Sequence, residues 1–263
     1  CLDNWYKIDE AEPISLNNVA LINNFLGGVD EDWFVTIHVC IEHAAGEAIN
    51  SAYKLSLLND ANSVNEFSVE LKKIIKSLKK VNTIFSKMPE KCDPYVYYHR
   101  VRPYIFGTKD NPDLKEGLIY ENQYQNVPQF FRGETGAQSS IIPFLDGALG
   151  IYHTNDNLRP YLNEMRDYMP PKHRKMIENV EKKSMAKEYI FKSKKLIHEY
   201  NQSLEEIRRF RAQHLEFAAS YIHKQSKAKT AFGSGGSTFR GTGGTPFMRY
   251  LKKHRDETNK QKI

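Results

Sequence analysis

The chain has 263 residues, of which 40% are hydrophobic and 27% charged. This length suits one large domain or two small ones with a buried core. The 15 glycines and 11 prolines are too few for a fibrous or disordered chain. The three cysteines have neither CxxC nor Cys/His spacing. That pattern argues against a disulfide scaffold or a zinc module and predicts a protein of the reducing cytoplasm.

The net charge and the apolar runs limit the kinds of partner. No apolar run approaches the roughly 18 to 20 residues of a membrane-spanning helix. The net charge of +6 would permit nucleic-acid binding. However, much of the excess, between Lys72 and Lys91 for example, falls on the polar faces of amphipathic helices, which favours a solvated surface. We therefore expect neither a nucleic acid nor a membrane as a partner.

Apolar residues recur with a helical period through most of the chain. Asp30 to Asp32 place carboxylates at the start of the first helix, where the helix dipole favours them. Only residues 118–120 are strand-like. The pattern predicts an all-α fold, with one helical domain over 30–263 preceded by a short segment, 1–29. The predicted helices cover residues 33–56, 65–88, 95–101, 136–151, 155–168, 172–200, 202–223 and 246–255.

Two of the nine histidines lie on apolar helix faces. His214 shares its face with Leu204, Ile207, Phe210, Phe217, Ala218 and Tyr221. A hydrogen-bonded core histidine is the commoner explanation of such a placement, and an axial ligand to haem iron is the alternative. His38 presents the same two alternatives on the first long helix. His43 is expected to face solvent, and His153 and His254 lie in polar settings that carry no signal.

Arg102 follows a run of tyrosines and precedes Pro103. A guanidinium beside aromatic rings suits a ligand carboxylate, which it binds through two parallel hydrogen bonds. An arginine that caps the carbonyl groups at a helix end is an equal alternative.

A glycine-rich loop, residues 233–245, precedes the last helix. Consecutive backbone amides can bind phosphate, but the loop lacks GxxxxGK[ST] and GxGxxG, and no strand precedes it. A lid over a site, or a flexible linker, fits this composition better.

Several segments together resemble one family. They are Arg102 to Gly107, Asn111-Pro112, Gly117 to Glu121, Gly136 to Ser140, Asp146 to Gly150, Met165 to Arg174, the helix around His214, and Gly241 to Thr245. In this order and at this spacing they resemble the haem dioxygenase superfamily of indoleamine 2,3-dioxygenase and tryptophan 2,3-dioxygenase, from about Trp33 to Thr258. The resemblance implies an all-helical domain of the indoleamine type that binds haem b.

The resemblance also implies an activity. Ferrous haem would use O2 as co-substrate and insert it across the indole C2–C3 bond of L-tryptophan, or of a related indole, to give N-formylkynurenine. The chain would thus be an oxidoreductase of tryptophan catabolism. A homo-oligomer is compatible with the resemblance, and the sequence does not fix the oligomeric state.

By the same resemblance, His214 would be the proximal ligand of the haem iron, and Gly136 would also lie near the cofactor. Arg211, three residues earlier on the same helix, would reach a haem propionate. Asp146 would act on the second ring nitrogen of His214, directly or through water, and raise the basicity of the ligand.

The resemblance further implies a substrate pocket. It places Phe34, His38, Tyr97, Tyr98, Arg102, Thr135, Gly136 and Thr242 around the indole. His38 and Arg102 would be the catalytic pair, with neutral His38 accepting a hydrogen bond from the indole N–H and Arg102 binding the substrate carboxylate. Thr242 would contribute a hydroxyl when the loop closes over the site.

The sequence departs from the family pattern at three places. His38 stands where mammalian indoleamine enzymes carry serine, and in this respect the chain is similar to tryptophan 2,3-dioxygenase. The glycine and serine run before Gly241 is longer than the family pattern. Residues 1–29 are short for the small N-terminal domain of the family, so we interpret them as its remnant or substitute.

Two other functions fit the same pocket. A related haem enzyme would carry out another oxidation of an indole, such as a monooxygenation. A haem sensor or carrier would bind haem and O2 without turnover of tryptophan.

Overall fold

The computed structural model describes residues 3–58, 63–111, 113–156, 158–227 and 248–263. Most of them are helical, which confirms the all-α fold class. The strands are β1 (Trp5–Lys7) and β2 (Val19–Leu21), and the helices are α1 (Val29–Leu57), α2 (Val64–Phe85), α3 (Met88–Lys91), α4 (Pro94–Val96), α5 (Arg102–Ile105), α6 (Ile141–Leu149), α7 (Arg159–Met165), α8 (Pro171–Lys183), α9 (Ala186–Phe191), α10 (Lys194–Ala218) and α11 (Met248–Lys260). Two π-helical turns (Tyr97–Val101 and Ala219–His223) and four 3-10 turns (Tyr124–Asn126, Gly136–Gln138, Arg166–Tyr168 and Gln225–Lys227) complete the elements.

Three long helices form the centre of the fold. Helix α2 packs against both α1 and α10, and α6 packs against α1. Their apolar faces build one continuous core, in which Ile37 and Ala45 of α1, Leu78 of α2 and Leu204 of α10 are fully buried or nearly so. Within the described ranges, no helix is long and apolar enough to cross a membrane.

The start of α1 is tied to the segment before it. The Glu31 carboxylate accepts hydrogen bonds from the backbone N–H groups of Phe25, Leu26 and Gly27, at 2.7, 2.8 and 2.8 Å. A carboxylate in the first turn also complements the positive end of the helix dipole. The sequence prediction of acidic residues at this helix start is confirmed.

The strand prediction was wrong. Residues 118–120 form only an isolated bridge, between Leu118 and Gln129. In the described part of the chain, the strands are instead β1 and β2, an antiparallel pair near the N-terminus. Each strand is only three residues long, which is too short for a period of two to be recognised in a sequence.

The continuous helical stretch predicted over 172–200 is divided into α8, α9 and the first part of α10. The breaks fall at Ser184 and Ser193, both with extended backbone. The Ser184 hydroxyl donates to the carbonyl of Ala148, at 2.7 Å. Serine side chains compete in this way with the helical hydrogen-bond ladder, and here the competing acceptor lies on another helix.

The chain passes Pro103 without leaving helical structure, although the sequence predicted an end there. Before Pro103, the Arg102 N–H donates to the carbonyl of Tyr97, the i to i−5 bond of a π-helix. Pro103 then occupies the first turn of α5, a position at which proline is tolerated.

We expect the core between α1, α2 and α10 to dominate stability. Leu78 is 1% exposed, so Leu78→Ala should lower the free energy of unfolding by about 2–5 kcal/mol through lost burial and the cavity it leaves. Lys80→Ala, on the exposed face of the same helix, should change it by less than about 0.5 kcal/mol. Urea unfolding followed by circular dichroism measures both, and equal effects would contradict this assignment of the core.

Candidate functional site

His38 is oriented by its own helix. Its Nδ1 lies 2.7 Å from the backbone carbonyl oxygen of Phe34. A carbonyl only accepts hydrogen bonds, so Nδ1 carries the ring proton and Nε2 is the acceptor. Burial lowers the pKa of His38 below its ordinary value, which keeps the ring neutral near pH 7. The side chain is therefore a fixed hydrogen-bond acceptor.

Aromatic side chains surround this imidazole. The Phe34 ring lies 4.5 Å from the His38 ring and 4.7 Å from the Tyr97 ring, measured between centroids. Tyr97 in turn contacts the edge of Tyr221, at 5.7 Å. Tilted and edge-on aromatic pairs of this kind give a wall of defined shape.

His214 lies on α10 beside a second aromatic group. The Phe85 ring is 6.3 Å from it, and Phe85 also contacts Phe210 and Phe217, at 5.1 and 4.9 Å. None of the residues that the structure describes forms a hydrogen bond with the His214 ring. Burial, with His38 as a second cause, lowers the pKa of His214 to about 4. Its imidazole is therefore neutral and has free lone-pair capacity.

The two imidazoles are close enough to affect each other. His38 contributes to the low pKa of His214, so the rings are close enough to interact electrostatically. Both side chains are partly accessible, although burial is the main cause of both lowered pKa values. Both rings are thus largely surrounded by protein, which favours their uncharged form.

Tyr97, Tyr98 and Arg102 lie on and directly after the first π-helical turn. Arg102 is 1% exposed. Its guanidinium lies 5.3 Å from the Tyr98 ring and 5.1 Å from the Phe106 ring. Burial lowers the pKa of Arg102 below its ordinary value. A π-helical turn re-aims the side chains that it carries and is frequent at functional sites.

The loop that carries Thr135 and Gly136 runs beside α1. Burial lowers the pKa of His38, and the nearby carboxylate of Glu134 opposes this with a smaller effect. The Ser139 hydroxyl donates to the carboxylate of Glu42, at 2.7 Å. Thr135 is half-buried and Gly136 exposed. The loop is thus near His38, and a pocket-lining role for these two residues stays a prediction.

Asp146 and Arg211 form a buried ion pair. The Arg211 guanidinium donates to Asp146 Oδ2, at 2.5 Å, and also bonds to Thr258 Oγ1. Burial alone would raise the pKa of Asp146, but Arg211 and His153 hold it below its ordinary value. In the structure, Arg211 therefore bonds to protein groups, whereas the resemblance implied that it would bind a haem propionate. In the described residues Asp146 has Arg211 and His153 as partners instead of His214.

Sequence reasoning missed a second histidine cluster. His153, His254 and Glu257 offer ligand atoms within 4.8 Å of one another. The sequence places these histidines in polar settings that carry no signal, yet the side chain of His153 is only 7% exposed. The one available signal was the spacing His254-x-x-Glu257, which places both side chains on one helix face. Their partner, His153, is remote in sequence.

The glycine-rich segment and Thr242 lie outside the described residues. Their role as a lid stays a prediction.

The residues around His214 fit the iron porphyrin that the resemblance implies. Haem iron takes a neutral imidazole as axial ligand, and the His214 ring is neutral with no hydrogen-bond partner among the described residues. Asp146 Oδ1 is buried and has no hydrogen-bond partner in the described part of the chain. Such an orphaned acceptor suits a water or ligand group that the protein alone does not supply.

The lowered pKa of His214 predicts a pH effect on ligand-free protein. The unfolded ring takes up a proton near its ordinary pKa of 6.5, whereas the folded ring does so only near pH 4. The unfolded state therefore binds more protons in this window, and stability falls as the pH is lowered from about 6.5 to about 4. Compared with His214→Gln, the wild-type free energy of unfolding should lose on the order of 2 kcal/mol more. Parallel urea titrations measure this, and identical pH slopes would contradict the assignment.

Comparison with known proteins identifies the family. A family model described as indoleamine 2,3-dioxygenase matches residues 1–261. Indoleamine 2,3-dioxygenase 1 of Rattus norvegicus is 33% identical over 98% of this chain and 66% of its own length. For 6-hydroxytryptophan 2,3-dioxygenase of Fusarium equiseti the values are 31%, 97% and 66%. For the indoleamine 2,3-dioxygenase of Saccharomyces cerevisiae they are 29%, 96% and 63%. The chain spans about two thirds of the length of these relatives, and it belongs to the indoleamine 2,3-dioxygenase family.

Proposed function

We propose that this chain forms the haem-binding catalytic part of a dioxygenase that acts on tryptophan or a close indole analogue. The proposal rests on the family and on two neutral imidazoles, His38 and His214, which interact electrostatically and each lie beside aromatic side chains. The relatives are named as dioxygenases of indoleamine and of 6-hydroxytryptophan, which supports an indole substrate without fixing its ring substituents.

His214 is the residue that would hold the haem. Its neutral ring needs no proton removed before it binds iron, and Phe85, Phe210 and Phe217 would give the cofactor apolar contacts. Asp146 and Arg211 would lie behind the ligand as a fixed ion pair. When bound, ferrous haem b would provide the iron chemistry of the reaction, and O2 would be the co-substrate.

The protein's own contribution is to bind and orient the indole. Arg102 would bind the substrate carboxylate, because a guanidinium matches a carboxylate through two parallel hydrogen bonds. Phe34 would pack on the indole ring. His38 Nε2, the free acceptor of a ring whose Nδ1 is bonded to the Phe34 carbonyl, would accept the indole N–H. Misplacing the reacting bond by about 1 Å can cost about a hundredfold in rate.

With the indole so oriented, addition of O2 across the C2–C3 bond would give N-formylkynurenine. Tyr97, Tyr98, Thr135, Gly136 and Thr242 are proposed as further pocket residues. The division into a segment 1–29 and a catalytic domain 30–263, a cytoplasmic location and a homo-oligomer stay predictions.

The direct test is the spectrum and activity of protein supplied with haem. Wild type should bind about one haem per chain, change its absorption spectrum on adding tryptophan, and form N-formylkynurenine with both oxygen atoms from labelled O2. His214→Ala should lose the bound haem, because it removes the only proposed protein bond to iron. His198→Ala is the matched control, since His198 lies on the same helix but is exposed.

Each outcome separates one alternative. A product with one labelled oxygen atom would indicate a monooxygenase, and bound haem without turnover would indicate a sensor or carrier. Haem binding that is equal in wild type and His214→Ala would overturn the assignment of the ligand.

A second variant tests the role of His38. His38→Ala should retain haem and lose the preference for tryptophan over its N-methylindole analogue, because the acceptor for the indole N–H is gone. One such hydrogen bond corresponds to about 1–3 kcal/mol, or roughly 5- to 150-fold in the ratio of kcat/KM values. His43→Ala, on the exposed side of the same helix, should keep the wild-type ratio. An unchanged ratio in His38→Ala would contradict this role.

A further inference from the structure

We propose that His153, His254 and Glu257 bind a divalent transition-metal ion, with zinc as the best match, at a site separate from His214. Ligand atoms of all three residues lie within 4.8 Å of one another. Two imidazoles and a carboxylate are a ligand set that zinc takes with a fourth position left for water. This site stands independently of the proposed haem and of the proposed reaction.

The ligands come from two parts of the chain that the fold brings together. Helix α11 packs against α10 and carries His254 and Glu257 three residues apart, on one face. His153 follows α6, which ends at Gly150 in the left-handed conformation, with a φ of 65°. This helix end turns the chain back, so that the ring centroids of His153 and His254 are 4.2 Å apart.

The distances require only a small adjustment. His153 Nδ1 is already 2.8 Å from Glu257 Oε2. Ligands at about 2.0–2.2 Å from a tetrahedral zinc ion lie roughly 3.3 Å from each other. The His153 and His254 rings are stacked, with an angle of 25° between their planes. Binding of one ion by both rings therefore requires the His254 side chain to rotate out of this stacked arrangement.

The neighbouring side chains are those that a metal-bound histidine requires. His153 Nε2 is 3.2 Å from Asp146 Oδ2, and Asp146 is fixed by Arg211. With zinc on Nδ1, the ring proton resides on Nε2 and is donated to this carboxylate. A metal-ligating histidine almost always donates its other N–H to such a carboxylate or carbonyl group.

The carboxylate ligand is oriented in the same way. The Thr154 hydroxyl donates to Glu257 Oε1, at 2.6 Å, and leaves Oε2 directed at His153. Burial and the neighbouring His153 lower the pKa of His254 to about 4. A neutral imidazole binds a metal without first losing a proton. The Glu257 carboxylate contributes one negative charge to the set, which suits a divalent cation.

Zinc would join α11 to the segment after α6. Because the site does not exist in the unfolded chain, zinc would stabilise the folded protein by mass action.

The experiment uses the full chain with whatever haem it carries. After treatment with a chelator, the protein is dialysed against zinc chloride, and zinc and iron are counted in the same sample by elemental analysis. We expect one zinc per chain in wild type and a higher midpoint of thermal unfolding with zinc. His254→Gln and Glu257→Gln should each weaken zinc binding at least tenfold. Loss of a residue that only orients a ligand already weakens metal binding by about tenfold or more, and loss of a ligand itself should not cost less. His43→Gln, an exposed histidine elsewhere, should bind as wild type does.

A second measurement keeps the test decisive if a variant fails to fold. X-ray absorption of wild type at the zinc edge should show nitrogen and oxygen ligands near 2.0–2.1 Å and no sulfur. Wild type that binds no stoichiometric zinc, variants that bind it as tightly as wild type, or sulfur ligands from the cysteines would overturn the proposal. The iron count and haem spectrum report the proposed function separately, so failure of one does not imply failure of the other.

Discussion

The arrangement of this protein depends on the burial of two uncharged imidazoles between long helices. Removing a polar ring from water costs free energy unless it finds a partner. His38 recovers part of that cost through the hydrogen bond from its Nδ1 to Phe34. His214 has no such partner among the described residues, and its pKa falls to about 4. Real proteins accept such a cost at functional sites, and the function that we propose for His214 is an axial bond to haem iron.

The second pair of histidines, His153 and His254, shows that the surroundings of an imidazole determine what it can bind. His153 and His254 lie among charged groups, with Asp146 and Glu257 as acceptors and Arg211 close by. Around His214 the neighbours are phenylalanine rings. An apolar wall leaves the lone pair free for a cofactor, whereas fixed carboxylates prepare a ring for a cation. The Asp146–Arg211 ion pair lies between these environments, because Arg211 shares α10 with His214 and Asp146 contacts His153.

The π-helical turn Tyr97–Val101 is the local irregularity that positions Tyr97, Tyr98 and Arg102, three of the proposed pocket residues. An α-helix through this segment would end before Pro103, as the sequence predicted. The wider turn allows the chain to continue into α5 and keeps Tyr97, Tyr98 and Arg102 buried together. Irregular helical turns of this kind are frequent at functional sites, where side chains must point in specific directions.

The sequence alone determined the all-helical class, the long helices α1 and α2, and the apolar faces that carry His38 and His214, because a period of 3.6 is a local property of the chain. It divided α10 (Lys194–Ala218) between two predicted helices, 172–200 and 202–223. It also identified the family, which the comparisons confirmed. The breaks at Ser184 and Ser193, the short strands β1 and β2, and the continuation through Pro103 were decided by the tertiary structure, since each depends on hydrogen bonds to other segments or on a pattern too short to read. The cluster of His153, His254 and Glu257 was likewise decided by the tertiary structure. About a hundred residues separate its two parts, and only the packing of α11 against α10, with the turn after α6, brings the three side chains together.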